Sequence, residues 1–274
     1  MRAAGNSGQA FLRAAAEGRK ALVGYLPVGY PDVPRSLGTL RALCGDGDQP
    51  GADLVEIGLP YSDPMMDGEV IQRAGTRALQ RGVRTRDVFA AIEAVAATGT
   101  PAVVMTYWNL VDHYGVDAFA RDLANAGGGG LITPDLIPDE AGDWMAASDA
   151  HDLDRIFLVS PSSSDERIAM TTAACRGWVY ATAVMGVTGT RSTSSSAAPE
   201  LVARIRRLNP DVLVGVGLGV STGDQAAEVA RFADGVIVGS AFLKPLLAAD
   251  DAGRPDDLDE LRAVVAELAA GVRR

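Results

Sequence analysis

In Asp53-Leu54-Val55-Glu56-Ile57-Gly58-Leu59-Pro60-Tyr61-Ser62-Asp63-Pro64-Met65-Met66-Asp67-Gly68, a short apolar run of buried-strand length carries a carboxylate, Glu56, in its interior. An unpaired buried carboxylate costs several kcal/mol or shifts its pKa. The strand breaks at Gly58 and Pro60, the loop beyond carries Asp63 and Asp67, and a helix is expected from about Glu69. One carboxylate fixed at a strand end and another on the following loop is the layout of a general acid–base pair. The same spacing suits a strand glutamate paired to an arginine, with Asp67 capping the helix.

Outward from this stretch, apolar strands alternate with helices. Residues 1–9 are small and polar and read as loose, Phe11 to Ala16 as a short helix, and Ala21 to Leu26 as the first strand. Pro34 to Leu43 is helical, and the Leu54 run is the second strand. Helices at 69–80 and 85–97 lead to a third strand, Ala102 to Tyr107, and a helix from Val116 to Ala126 leads to a fourth, Leu131 to Thr133. A helix at 139–150 precedes the fifth strand, Arg155 to Val159, and a helix from Ser164 to Ala174 precedes the sixth, Trp178 to Ala181. A loop rich in Gly, Ser and Thr, 185–197, and a helix from Pro199 to Leu208 lead to the seventh, Val212 to Gly215. A helix from Gly223 to Phe232 leads to the eighth, Gly235 to Val238; a short helix opens at Gly239-Ser240, and 257–270 closes the chain.

Continuous apolar strands between helices imply a parallel sheet covered on both faces. Eight strand–helix units imply an α/β fold with a single (β/α)8 TIM barrel, plus an extra N-terminal helix and a short phosphate-binding helix after strand eight. No linker divides residues 1–274, which read as one domain. The turn-rich segment 45–51 has some calcium-loop character, but Pro50 takes a ligand position and the closing Glu is missing, so it reads as a surface loop. The acidic run Asp250 to Asp259 reads as a solvated turn and helix start.

The formal charge of −10 argues against nucleic acid or an anionic membrane as partner. Cys44 and Cys175 are too few for a disulfide framework and read as packing residues at helix ends. No signal peptide or bilayer-spanning apolar run is visible, so the expected setting is the reduced cytoplasm. The only lysines, Lys20 and Lys244, are poorly placed for a Schiff base, and His113 and His151 fall in or beside helices as surface residues, so neither a cofactor nor a metal is expected. Carboxylates remain.

Barrel sites form at the C-terminal ends of the strands, where Glu56 and Tyr180 fall. Three glycine segments fall there too: Gly186 to Gly189, Gly217 to Gly219, and Gly239-Ser240 at a helix start. Glycines admit an anion to backbone N–H groups, and a helix N-terminus adds its dipole, so this corner reads as a phosphate site. Gly215-x-Gly217-x-Gly219 is not a dinucleotide fingerprint, because Val220 fills the last glycine position. Proton transfer to and from a phosphorylated substrate follows from the residues alone.

The run from Glu56 to Gly68, continuing to Val70-Ile71-Gln72, resembles the signature of the tryptophan synthase alpha subunit family, with Met66 and Glu69 as departures. The resemblance extends through Met105 to Asn109, Gly130 to Pro138, Tyr180 to Arg191 (Met185 departing), Gly217 to Ser221 and Gly235 to Ala241. It implies retro-aldol cleavage of indole-3-glycerol phosphate to indole and glyceraldehyde 3-phosphate. Glu56 would then move protons at indole C3 and the glycerol hydroxyl, Asp67 would accept the indole N–H, and Thr188 would hold Asp67. Tyr180 and Leu218 would wall the indole with Tyr107 nearby, and Gly189, Gly219, Gly239 and Ser240 would hold the phosphate. Pro60, Tyr61, Asp63, Pro64, Asn109 and Asp135 would face a beta subunit in an alpha2-beta2 complex; that partner carries pyridoxal phosphate, and this chain would need no cofactor. The motif departures leave open a stand-alone lyase that releases free indole. Another phosphate-binding barrel, such as a sugar-phosphate isomerase, ranks behind it on the Glu56/Asp67 spacing, and a degenerate activating subunit ranks last because neither carboxylate is damaged.

Overall fold

The computed structural model of the chain describes residues 5–45, 49–182 and 197–274. Its parallel strands are β1 (Ala21–Pro27), β2 (Leu54–Gly58), β3 (Ala102–Met105), β4 (Gly130–Ile132), β5 (Asp154–Ile156), β6 (Leu158–Val159), β7 (Val179–Thr182), β8 (Val214–Gly217) and β9 (Gly235–Val238). They lie side by side in the order β5-β4-β3-β2-β1-β9-β8-β7-β6. The two ends of that order, β5 and β6, are separated in the chain by Phe157 alone, so the sheet comes round on itself as a barrel. The fifth expected strand is therefore present but interrupted at Phe157, and the fold is the expected TIM barrel.

The helices are α1 (Gly5–Ala16), α2 (Val33–Leu43), α3 (Glu69–Gln80), α4 (Asp87–Ala96), α5 (Trp108–Tyr114), α6 (Val116–Asn125), α7 (Gly142–Ala150), α8 (Asp165–Ala174), α9 (Ala197–Leu208), α10 (Gly223–Ala230), α11 (Ser240–Asp251) and α12 (Asp259–Gly271). Alternation along each strand splits the core in two. Leu22, Leu26, Val55, Ile57 and Val104 pack outward against the helices. Ala21, Val23, Leu54, Val103, Ile132, Ile156, Trp178 and Ile237 fill the barrel, where α1 adds Ala10, Phe11 and Ala14. Each large buried side chain contributes roughly 1.5–3 kcal/mol.

Four expectations are corrected. Residues 5–9 are not loose: they begin α1, where the Ser7 N–H and hydroxyl both donate to Asp154 Oδ2 (2.7 and 2.5 Å) and a Cβ at Gly8 would sit 2.9 Å from the Gly177 carbonyl oxygen. Small size at this end reflects close packing against the barrel floor. Trp108–Tyr114, given no element of its own between the third strand and the helix at Val116, forms α5, its first N–H bonded to the Asp135 carboxylate at 2.9 Å. The seventh strand lies two residues later than expected, at Val214–Gly217, because its glycines are strand positions: a Cβ at Gly215 would come 2.6 Å from the Trp178 ring.

The fourth concerns the acidic run. Helix α11 is 12 residues long and ends on Asp250 and Asp251, which are not a solvated turn. Asp250 accepts hydrogen bonds from the Tyr30 hydroxyl (3.0 Å), Arg77 (2.8 Å) and Arg81 (3.2 Å), and Asp251 accepts from Arg73 and Arg77 (2.6 Å each). Arg73 and Arg77, one turn apart on α3, and Arg81 at its C-cap thus meet the C-terminal acids of α11, tying together the helices that begin beside Asp67 and beside Gly239. The segment 45–51 is described at its ends only, where Gly45 bridges Pro50.

Candidate active site

The alternation that fills the barrel also builds its mouth. Above Val23, Leu54, Val103, Ile156 and Trp178, the next inward positions are Tyr25, Glu56, Met105, Leu158 and Tyr180. These side chains line a cavity, partly open to solvent, closed on other sides by Met66, Asp67, Ile71, Leu218, Gly219, Gly239 and Ser240. The next inward position on β2 is Gly58, where a Cβ would overlap the Tyr25 hydroxyl; on β8, a Cβ at Gly217 would lie 2.6 Å from the Tyr180 hydroxyl. Gly217, expected in the anion corner, is therefore there to admit the tyrosine ring.

Glu56 is 1% exposed, and its Oε2 has no hydrogen-bond partner. The expected alternative, an ion pair to an arginine, is absent among the described residues. Burial first, and then the charge of Asp67, push its pKa from 4.5 to about 8. Asp67 reaches the same cavity from the loop, and burial raises it to about 6. At neutral pH the pair is thus divided, one carboxyl protonated and the other ionised, the condition for separate acid and base roles. Burial, then the nearby carboxylates, also hold the Tyr25 and Tyr180 phenols well above their ordinary range.

The loop that carries Asp67 is held from below. The Tyr107 hydroxyl accepts the backbone N–H groups of Met65 (2.8 Å) and Met66 (3.1 Å), and its ring stacks on Tyr61 at 4.7 Å. Gln72 donates to the Asp67 carbonyl at 2.7 Å. Tyr107, expected beside the indole, does not line the cavity; it fastens the loop.

At the opposite rim, Gly239 and Ser240 line the cavity at the N-terminus of α11. The first intrahelical bond runs from Phe242 N–H to the Gly239 carbonyl (3.0 Å), leaving the Ser240 and Ala241 N–H groups without helical acceptors, as at any helix start. Gly219, beside them, has φ of +70°, a conformation that favours glycine. Backbone donors and helix dipole make this rim suited to a phosphate. Thr188 and Gly189 lie outside the described residues.

Of the expected interface residues, Asp63 and Asn109 are exposed, and Pro60, Tyr61 and Pro64 are partly so. Tyr61 stacks on Tyr107, whose neighbour Trp108 is bonded to Asp135, so contacts through the buried Tyr107 join the 61–64 loop to the exposed Asn109 and Asp135. Met65 (73% exposed) follows Pro64 and Ile137 (42%) lies two residues past Asp135, so each segment presents a large apolar side chain to solvent. Reading the sequence alone missed Tyr25, Met66, Ile71, Met105, Leu158, Thr182 and Ile237 as cavity walls. Period-two alternation ranks positions along one strand only, so Tyr25, Met105 and Leu158, each on a different strand from Glu56 and Tyr180, gave no local signal; the register that sets Tyr25 opposite Glu56 is what turns it inward.

Among the described residues, no group of three or more His, Cys, Asp or Glu is arranged to hold a metal. No described helix is long and apolar enough to cross a membrane.

A sequence profile described as Tryptophan synthase alpha chain matches residues 11–273. The chain is 61% identical over 266 residues to a tryptophan synthase alpha chain from Salinispora arenicola, and 60% identical over 267 residues to one from Acidothermus cellulolyticus, covering 97% of both chains in each case. It is similar to a chain in a structure of Mycobacterium tuberculosis tryptophan synthase, at 57% identity and a TM-score of 0.91 over 98% of this chain and 99% of that one. It is also similar to a chain of the tryptophan synthase complex from Pyrococcus furiosus, at 29% identity and a TM-score of 0.81 over 92% of this chain and 99% of that one.

Proposed function

The chain belongs to the tryptophan synthase alpha chain family, lyases that cleave indole-3-glycerol phosphate to indole and glyceraldehyde 3-phosphate, and we propose that Glu56 and Asp67 carry that cleavage. The supporting observation is the buried carboxyl of Glu56, unpartnered at Oε2 and facing Asp67 across one cavity. In its protonated form Glu56 gives a proton to indole C3. The resulting carboxylate takes the proton of the glycerol hydroxyl as the bond from C3 to the chain breaks. The bonding electrons return to the ring, the hydroxyl carbon becomes the aldehyde, and Glu56 ends protonated as it began. Asp67, ionised at neutral pH, accepts the indole N–H and stabilises the cationic indolenine between the two steps. Tyr180 and Leu218 wall the ring, Gly189, Gly219, Gly239 and Ser240 take the phosphate, and Thr188 holds Asp67, Thr188 and Gly189 coming from the segment between β7 and α9.

The surface around Tyr61, Asp63, Pro64, Asn109 and Asp135 is read as the docking face for a beta subunit. Its continuity with the Asp67 loop through Tyr107 supports a loop whose order depends on the partner. Family membership favours this over a stand-alone lyase that releases indole. A single domain over 1–274 and a cytoplasmic setting belong to the same reading. The test is indole release from indole-3-glycerol phosphate by the purified chain, alone and across a range of beta-subunit ratios. Saturable activation near equal stoichiometry is expected; full activity alone with no response would return the assignment to the stand-alone lyase.

A further inference from the structure

Tyr25 lies in the same cavity and takes no part in the steps above. Its place follows from strand register. On β1, Tyr25 pairs with Glu56 of β2, and Gly24 pairs with Val238 of β9, so Tyr25 stands between Glu56 and Gly239 at the mouth. Its ring runs against the phosphate corner: a Cβ at Gly239 would lie 3.1 Å from Tyr25 Cδ1. Its hydroxyl points to the carboxylate side, over Gly58, where a side chain would collide with it. Gly58 therefore leaves room for the oxygen as well as the ring. No hydrogen bond joins this hydroxyl to another described residue, whereas the Tyr107 hydroxyl is taken by two backbone N–H groups.

A substrate with its phosphate at Gly239 and its reacting carbon at Glu56 must pass its connecting chain across Tyr25. The polar groups on that chain are hydroxyls. We propose that the Tyr25 hydroxyl hydrogen-bonds a hydroxyl of the three-carbon chain between indole and phosphate, and so selects hydroxylated chains over deoxygenated ones. This rests on the lyase reading of the site. Tyr180 enters the mouth from β7, two strands beyond β9, and is taken up by the indole wall in the reading above. Burial and the two carboxylates hold the Tyr25 phenol well above its ordinary range, so it keeps its proton and remains a donor. A site built to bond a hydroxyl discriminates strongly against the analogue without it.

The test compares wild type with Tyr25→Phe, which keeps the ring and removes one oxygen, folding being verified by thermal melting. Three quantities are measured: kcat/KM for indole-3-glycerol phosphate, and the inhibition constants of glycerol 3-phosphate and of 3-indolylpropyl phosphate, which lacks the chain hydroxyls. The variant should lose roughly tenfold in kcat/KM and in glycerol 3-phosphate affinity, while 3-indolylpropyl phosphate changes by less than about twofold. Equal weakening of both inhibitors would reduce Tyr25 to ring packing and overturn the proposal, as would no change in either. Wild type that fails to cleave indole-3-glycerol phosphate even with a beta subunit would sink the lyase reading itself, a result distinct from any behaviour of the variant.

Discussion

Replacing Glu56 with Gln should stabilise the free protein, and the gain should grow with pH. The native pKa of Glu56 is about 8, against an ordinary 4.5. Between those values the unfolded chain has released the proton and the native chain still holds it. Native-state stability therefore falls as pH rises through that window. At about 1.4 kcal/mol per pH unit, the cost accumulates to at most about 5 kcal/mol by pH 8. Glutamine is isosteric with the protonated form and does not titrate, so the variant escapes the whole of it. Asp67, whose raised pKa traces to burial, titrates alike in both proteins and cancels. Urea denaturation at pH 5 and pH 8.5 should show near-equal stabilities at the lower pH and a gap of at least ~2 kcal/mol in favour of Glu56→Gln at the higher one. A gap that does not widen with pH would refute the buried, protonated carboxyl and with it the acid role.

Three further outcomes follow from the geometry. Gly239→Asp adds bulk and a like charge at the start of α11, and should cost glycerol 3-phosphate at least ~10-fold in affinity with the circular dichroism spectrum unchanged. Tyr107→Phe removes the acceptor shared by the Met65 and Met66 N–H groups; it should lower kcat several-fold, and saturating beta subunit should restore part of the loss if docking orders the same loop. Asp250→Asn leaves Arg77 and Arg81 facing a neutral group across the α3–α11 contact and should lower stability by about 1–3 kcal/mol in chemical denaturation, with little change in KM.

What the sequence disclosed, and what it did not, divides along the range of the interactions. Glu56 was legible because one charged residue interrupts an apolar strand, and Asp67 because it closes the same short loop. The barrel was legible because each strand–helix unit carries its own periodicity. Tyr25 was not, since a tyrosine inside an apolar run reads as core, and only the pairing with Glu56 on the next strand turns it to the cavity. Gly217 read as loop because glycine weakens strands; here it is a strand position facing Tyr180, more than thirty positions earlier in the chain. Asp250 and Asp251 read as solvated because their arginine partners on α3 lie about 170 residues away, and no local pattern announces such a pairing. Ser7 looked like a loose end for the same reason, its partner being Asp154.

The most direct test of the carboxylate assignment is the rate of indole release by Glu56→Gln, measured in single turnover with saturating indole-3-glycerol phosphate and beta subunit present. Removing the proton while keeping the shape should slow cleavage by at least ~10²-fold, with substrate affinity nearly unchanged. Cleavage within a few-fold of the wild-type rate would contradict Glu56 as the acid–base group.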